Sequence, residues 1–206
     1  MIKEFLIINR DKLEFGLKWS SIIFISLVLV AFAWGRYHGQ IPEWSLFITV
    51  LLVAGIFFPV FCMTLGTIKE FQEYKITKRT LDQYPFNELT KNGFEIILTN
   101  KKSKWMFSQI MLRGHIDDYP MDCEVENGII KLIALVNRDN FKKEHMKELK
   151  REFGDRKVEY DWLGIALRFN IKKEKFTSFG QLKADIHRFI QFFKKNELKS
   201  WENPWN

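Results

Sequence analysis

The sequence predicts an α+β protein in which a two-helix N-terminal transmembrane hairpin precedes a mainly antiparallel sheet domain with helices packed on one face. Three observations predict it. Two long runs near the N-terminus contain no charged residue, the apolar period changes to two after residue 93, and two later segments carry apolar stripes at helical spacing.

The first charge-free run covers 19–35, 17 residues, and the second covers 44–68, 25 residues. At about 1.5 Å per helical residue the second run exceeds the roughly 30 Å hydrocarbon core of a bilayer. The first is near the short limit, and Lys18 and Arg36 flank it where long basic side chains can snorkel. Trp19 and Trp34 bracket the first run and Trp44 opens the second, at the level where indoles settle among headgroups. Soluble core helices keep a polar face, and these runs have none.

Basic residues set the expected orientation. Lys3, Arg10, Lys12 and Lys18 precede the first span, and Lys69, Lys75, Lys78 and Arg79 follow the second, whereas the connecting loop carries only Arg36. Both termini are therefore expected in the cytoplasm, with a tight loop outside. The "AFA" at 31–33 has the small residues of a cleavage site. However, Glu4, Asp11 and Glu14 precede it and a second span follows at once, so an uncleaved hairpin is expected.

Within the spans, Pro59 lacks an amide donor and is expected to kink the second helix. Ala54, Gly55 and Gly66 are small enough for another helix to approach, and Ser26 offers a mild polar group. Ser26, Gly55, Pro59 and Gly66 are thus the candidate packing positions of a self-associating bundle. Ser20, Ser21, Thr49 and Thr64 are expected to bond back to their own helices. Residues 1–18 form a charged lead-in, in which Ile2, Phe5 and Leu6 also suit one face of a helix lying on the inner leaflet.

Beyond the spans, 69–93 is expected to be a helical arm that breaks at Pro85 and ends at Asn92-Gly93. Residues 94–206 form the predicted α+β domain. Strands are expected over 94–100, 104–113, 119–125 and 129–136, with turns at Asp117-Asp118 and Asn127-Gly128. A helix over 140–154 is capped by Asn140 and buries Met146, Leu149 and Phe153. Strands at 157–163 and 164–171 follow, and in the latter Ile165, Leu167, Phe169 and Ile171 share one face. The last helix runs from Ser178 to about Leu198 and lays Phe179, Leu182, Ile186, Phe189, Ile190 and Phe193 along one stripe, the face that covers the sheet. Trp201 and Trp205 in the tail are expected to dock back on the domain.

Composition narrows the chemistry. Five of the 32 basic and four of the 25 acidic residues precede Lys69, so the 138 residues from Lys69 onward carry +6 of the chain's net +7. That suits an anionic leaflet, nucleotide or acidic partner without requiring duplex nucleic acid. Cys62 and Cys123 exclude a disulfide framework and a cysteine-based zinc site. His38, His115, His145 and His187 are scattered, so no metal and no cofactor are expected. The stretch "RGHIDDY" (113–119) gathers a histidine, two carboxylates, an arginine and a tyrosine, yet its spacing fits a polar hairpin turn, and a catalytic set would need a second cluster. No phosphate loop, HExxH or GxSxG occurs, and no enzymatic activity is expected.

Basic residues beside aromatics are more suggestive. Lys101, Lys102 and Lys104 precede Trp105, Arg113 and His115 end one strand, and Arg168, Lys172 and Lys173 lie along another. Lys102, Lys104, Trp105, Arg113, His115, Arg168 and Lys172 are the candidate ligand-binding residues for a phosphate-bearing molecule, with attraction to anionic lipid as the competing reading.

In layout, two N-terminal spans and a small cytosolic domain, the chain resembles compact bacterial membrane effectors of antiphage systems. That resemblance implies a domain that binds a cyclic nucleotide or oligonucleotide and homo-oligomeric spans that disrupt the inner membrane. It is a likeness of architecture and assigns no residue a role. The alternative is a passive membrane anchor that recruits a protein partner.

Overall fold

A computed structural model describes residues 1–39, 43–137, 140–154, 157–170 and 178–201. Two compact units emerge, Met1–Gln72 with Asn100–Ser108, and Glu73–Thr99 with Gln109–Asn206.

In the first unit, α1 (Ile2–Ile8) meets α2 (Arg10–Tyr37) at Asn9. There follow α3 (Trp44–Leu52), a π-helical segment (Val53–Phe57) and the start of α4 (Phe58–Leu81). Two helices, Arg10–Tyr37 and the continuous Trp44–Leu81, are long and apolar enough to cross a membrane. In the most apolar 18-residue stretch of each, none of the first and 11 % of the second is buried. The core helix of a soluble protein would instead bury most of that surface.

The expected disturbance at Pro59 takes the form of the widened π turn just before it. Pro59 has no N–H to give the Gly55 carbonyl, and its ring would crowd that carbonyl in a regular helix, so the turn opens. The same turn buries Ala54 and Gly55, and a Cβ on Gly55 would stand 3.0 Å from Ile25 Cγ1 of α2. Gly55 therefore serves packing inside the hairpin. Ser26 is exposed and Gly66 has open space where a Cβ would be. The ring of Phe32 lies tilted against Phe47 with centroids 4.0 Å apart, and Phe24 lies 5.7 Å from Phe58. Ser20, Thr49 and Thr64 donate to the carbonyls of Gly16, Ser45 and Val60, as expected of hydroxyls in apolar helices.

The lead-in is divided between two helices, α1 over its first residues and the start of α2 from Arg10 onward. Phe5 is fully buried, with its ring 5.7 Å from Phe71 and 5.9 Å from Phe107, so it packs on protein rather than facing outward. Asn100–Ser108, expected to be partly strand, belongs to this unit instead.

The second unit takes in the end of α4, which stops at Leu81 rather than running on to Pro85, and α5 (Asn87–Lys91). Its sheet is β1 (Glu95–Leu98), β2 (Ile110–Ile116), β3 (Tyr119–Glu126), β4 (Ile129–Ala134), β5 (Val158–Tyr160) and β6 (Ile165–Asn170). Helices α6 (Lys143–Phe153) and α7 (Phe179–Lys195) complete it. The six strands lie in the order β1-β2-β3-β4-β6-β5, with every pair antiparallel. Asp117 (φ 49) and Asp118 (φ 69) both adopt the left-handed conformation that a two-residue hairpin turn requires.

One sheet face is apolar. Leu112, Met121, Cys123, Ile130, Leu132, Leu167 and Phe169 share it and are buried, while on the opposite face Met111, Ile133 and Ala166 are buried too. On α7, Leu182, Ile186, Phe189, Ile190 and Phe193 of the expected stripe are buried, whereas Phe179 at the helix start is only half-buried and Phe192, outside the stripe, is buried as well. Phe189 sits 5.9 Å from Phe153 of α6, and Phe193 sits 6.0 Å from Tyr119 of β3. Tyr119 donates its hydroxyl to the Leu198 carbonyl at 2.7 Å, and burial pushes its phenol upward. Ser178 caps α7 by accepting from the Gln181 amide. Helix α6 starts later than expected, with Lys142 rather than Asn140 at the cap and His145 Nδ1 accepting from the Lys142 amide. The tail docks through its backbone: Ser200 bridges Val136, and the Trp201 amide donates to the Leu135 carbonyl. Ile171 and Trp205 lie outside the described residues.

Candidate functional site

The opposite sheet face carries a ladder of charge. Register places Arg113 beside Asp122, Glu124 beside Lys131, and Lys131 beside Arg168. Arg113 holds Asp122 with two parallel hydrogen bonds, Nε to Oδ1 at 2.8 Å and an Nη to Oδ2 at 2.9 Å, and Asp122 is fully buried. Glu159 takes Arg168 at 2.9 Å and Lys131 at 3.2 Å, and Lys131 also pairs with Glu126. Burial would lower the Lys131 ammonium, but its bonds to Glu126 and Glu159 hold it above its ordinary value. The same bond holds the Glu126 carboxyl below its own.

Glu124 has the opposite fate. Burial pushes its carboxyl up, Asp161 and Asp122 add to the push, and Lys131 opposes it. A carboxyl raised on folding contributes stability in full below its unfolded value near 4.5 and loses that contribution as pH rises through the folded value. Glu126 works the other way, since its contribution is present above 4.5 and lost as pH falls through its lowered folded value. Glu124→Gln is therefore expected to raise the melting temperature at neutral pH. It is also expected to flatten the pH dependence just above 4.5 while leaving the acid limb unchanged. Thermal unfolding scans across that range check it, and an unaltered wild-type slope in the variant would refute the assignment.

A cleft of about 210 Å³ opens where the β2–β3 turn meets α7. Its floor is apolar, from Leu89, Phe94, Ile116 and Ile186, with Phe179 at one side. Three basic side chains, His115, Lys183 and His187, border it along with Asn92 and Asp117. Asp117 is engaged by His187 Nδ1 at 3.5 Å and by Lys194 Nζ at 3.4 Å. Lys183 is exposed and has no carboxylate partner among the described residues. The hairpin turn fixes Asp117, and one helical turn separates Lys183 from His187, so both reach the same edge.

The expected ligand residues do not converge. Of the seven, only His115 borders this cleft. Arg113 and Arg168 are bonded to Asp122 and Glu159, so their charges serve the sheet. Lys102, Lys104 and Trp105 belong to the first unit, and Lys172 lies outside the described residues. Lys183 and His187 escaped sequence reasoning because they flank the apolar stripe of α7 like any solvated residues. Only their four-residue spacing hinted at a shared edge. Among the described residues, no three His, Cys, Asp or Glu side chains converge as a metal site. Cys123 is buried, and desolvation pushes its thiol far up, away from the reactive thiolate.

Fold and cleft together define the class: an α+β domain with a basic cleft, preceded by two helices long and apolar enough to span a membrane. No protein-family model, curated protein or solved structure matches the chain.

Proposed function

We propose that this is a multi-pass protein of a bacterial inner membrane, with both termini cytoplasmic. In this reading its α+β domain binds a small anionic group, and occupancy alters the self-association of its membrane helices, as in membrane-disrupting antiphage effectors. The observation that carries the ligand reading is the edge formed by His115, Lys183 and His187 around a cleft with a single carboxylate, itself already engaged. At about 210 Å³ the space suits a phosphate-sized group with apolar walls, so a nucleotide would seat a phosphate and leave its base outside. The basic residues on the outer flanks of the two charge-free runs, against Arg36 alone between the runs, support the orientation. The exposed positions of Ser26 and Gly66 leave small-residue faces for a second copy.

The test uses the full chain in detergent, with inorganic phosphate, pyrophosphate and 3′,5′-cyclic AMP as probes. At least one is expected to raise the melting temperature, and Lys183→Glu is expected to abolish that rise without changing the unliganded melting temperature, since Lys183 is exposed. If no probe stabilises the wild type, or if the variant responds equally, the ligand reading falls and a passive anchor for a protein partner remains.

A further inference from the structure

Asn100–Ser108 is a nine-residue segment with three lysines, a tryptophan, a methionine and no acidic residue. Its backbone is bound to the first unit with unusual thoroughness. The Lys12 ammonium donates to the Asn100 carbonyl at 2.6 Å, the Met106 carbonyl at 2.5 Å and Ser108 Oγ at 2.8 Å, which uses all three of its protons. The side chain of Asn9 accepts from the Ser108 amide at 2.6 Å and donates to the Ser108 carbonyl at 3.2 Å. Phe107 packs on the buried ring of Phe5. This segment is held in place, and what it presents outward is therefore fixed.

What it presents is apolar and cationic at once. Trp105 is 69 % exposed and Met106 56 % exposed, although Trp105 stands edge-on to Phe15 at 4.7 Å and lies 6.4 Å from Trp19. Trp19 opens the first charge-free run and is itself exposed, so the Trp105 indole stands level with the beginning of that run. Lys101, Lys102 and Lys104 are exposed around it. Lys104 Nζ lies 5.8 Å from the Phe15 ring, and Lys18 adjoins Trp19. On α2, Glu14 is already bonded by Arg10 at 2.8 Å. In water, two adjacent exposed indoles and a methionine would be a costly surface. At the edge of a bilayer, indoles belong at headgroup level and lysines beside phosphodiesters.

We propose that Asn100–Ser108 is a third membrane-contacting element, a loop that seats Trp105 and Met106 in the interfacial layer and binds anionic phospholipid headgroups through Lys101, Lys102 and Lys104. Lys12 and Asn9 hold the loop at that depth by satisfying its backbone before lipid arrives. The inference uses none of the residues of the His115–Lys183–His187 cleft, so either can fail without the other.

The experiment places the full chain in nanodiscs of phosphatidylcholine alone and of phosphatidylcholine mixed with phosphatidylglycerol, and follows amide hydrogen exchange at 100–108. Exchange is expected to be slower in the anionic discs, on the order of tenfold, and to return to the phosphatidylcholine rate in Lys101→Glu/Lys102→Glu/Lys104→Glu. These side chains are exposed, and unchanged exchange in α2 shows that the variant is folded. Brominated acyl chains are expected to quench wild-type tryptophan emission more than that of Trp105→Phe. Equal exchange in both discs, protection that survives the triple reversal, or quenching that Trp105→Phe leaves unchanged would each overturn the proposal. So would protection reproduced in phosphatidylcholine discs by inorganic phosphate, which would make the site one for free anions.

Discussion

Gly164→Ala is expected to destabilise the α+β domain by about 3 kcal/mol, lowering its melting temperature by on the order of 10 °C. Gly164 closes a tight turn between β5 and β6, with the Asp161 amide donating to its carbonyl and its own amide donating to Asp161. A Cβ there would fall onto the Ala134 carbonyl oxygen, with the carbonyl carbon 3.1 Å away and the Val136 nitrogen 3.2 Å away. The obstacle is backbone, and it cannot yield. Ala134 ends the central strand β4, the Leu135 amide is bonded to the Pro120 carbonyl, and the Leu135 carbonyl accepts from Trp201. Elsewhere the same substitution stabilises by restricting the unfolded chain. Gly180 in α7 is such a site, where a Cβ meets nothing nearer than Ser178 Oγ at 3.7 Å, and Gly180→Ala is expected to raise stability by about 0.5–1 kcal/mol. Opposite signs for the two changes in thermal unfolding of the full chain check the prediction. A Gly164→Ala protein that melts with the wild type would refute the close approach.

Arg113→Met carries the second large effect, a loss of about 3 kcal/mol, because it strands the fully buried Asp122 carboxylate. The cost sits at the lower end of what a broken buried pair incurs, since the Arg113 side chain keeps 27 % exposure and water can reach that edge. The informative partner is Arg113→Met/Asp122→Leu. If the loss comes from an unpaired charge rather than from lost packing, the double variant is expected to recover most of it, giving a coupling energy of about 2 kcal/mol or more. Denaturant unfolding of the single and double variants measures it, and additive losses would show that the two side chains act independently.

These two positions mark where sequence reasoning ran out. Strand alternation placed β3, β4 and β6 within a residue or two, and the stripe of α7 predicted most of the residues it buries, missing only Phe192 and including the half-buried Phe179, because each pattern reports which face of an element meets apolar surroundings. Arg113 looked like a ligand residue because a basic side chain at a strand end is ambiguous until register supplies a neighbour, and the neighbour is Asp122. Residues 104–109 looked like strand because their composition alternates, yet Lys12 and Asn9, about a hundred positions earlier, bind the backbone of this segment. His115 was visible as part of a polar turn, whereas its partners Lys183 and His187 arrive from a helix far along the chain.

By itself the sequence determined two charge-free apolar runs, an antiparallel α+β domain and most of the residues that line its apolar face, since these follow from local composition and period. Only the tertiary structure decided which charges are consumed by other charges, which loop Asn9 and Lys12 capture, and where a glycine admits no Cβ. Those outcomes depend on strand register and on packing between residues distant in the chain, and no local pattern encodes either.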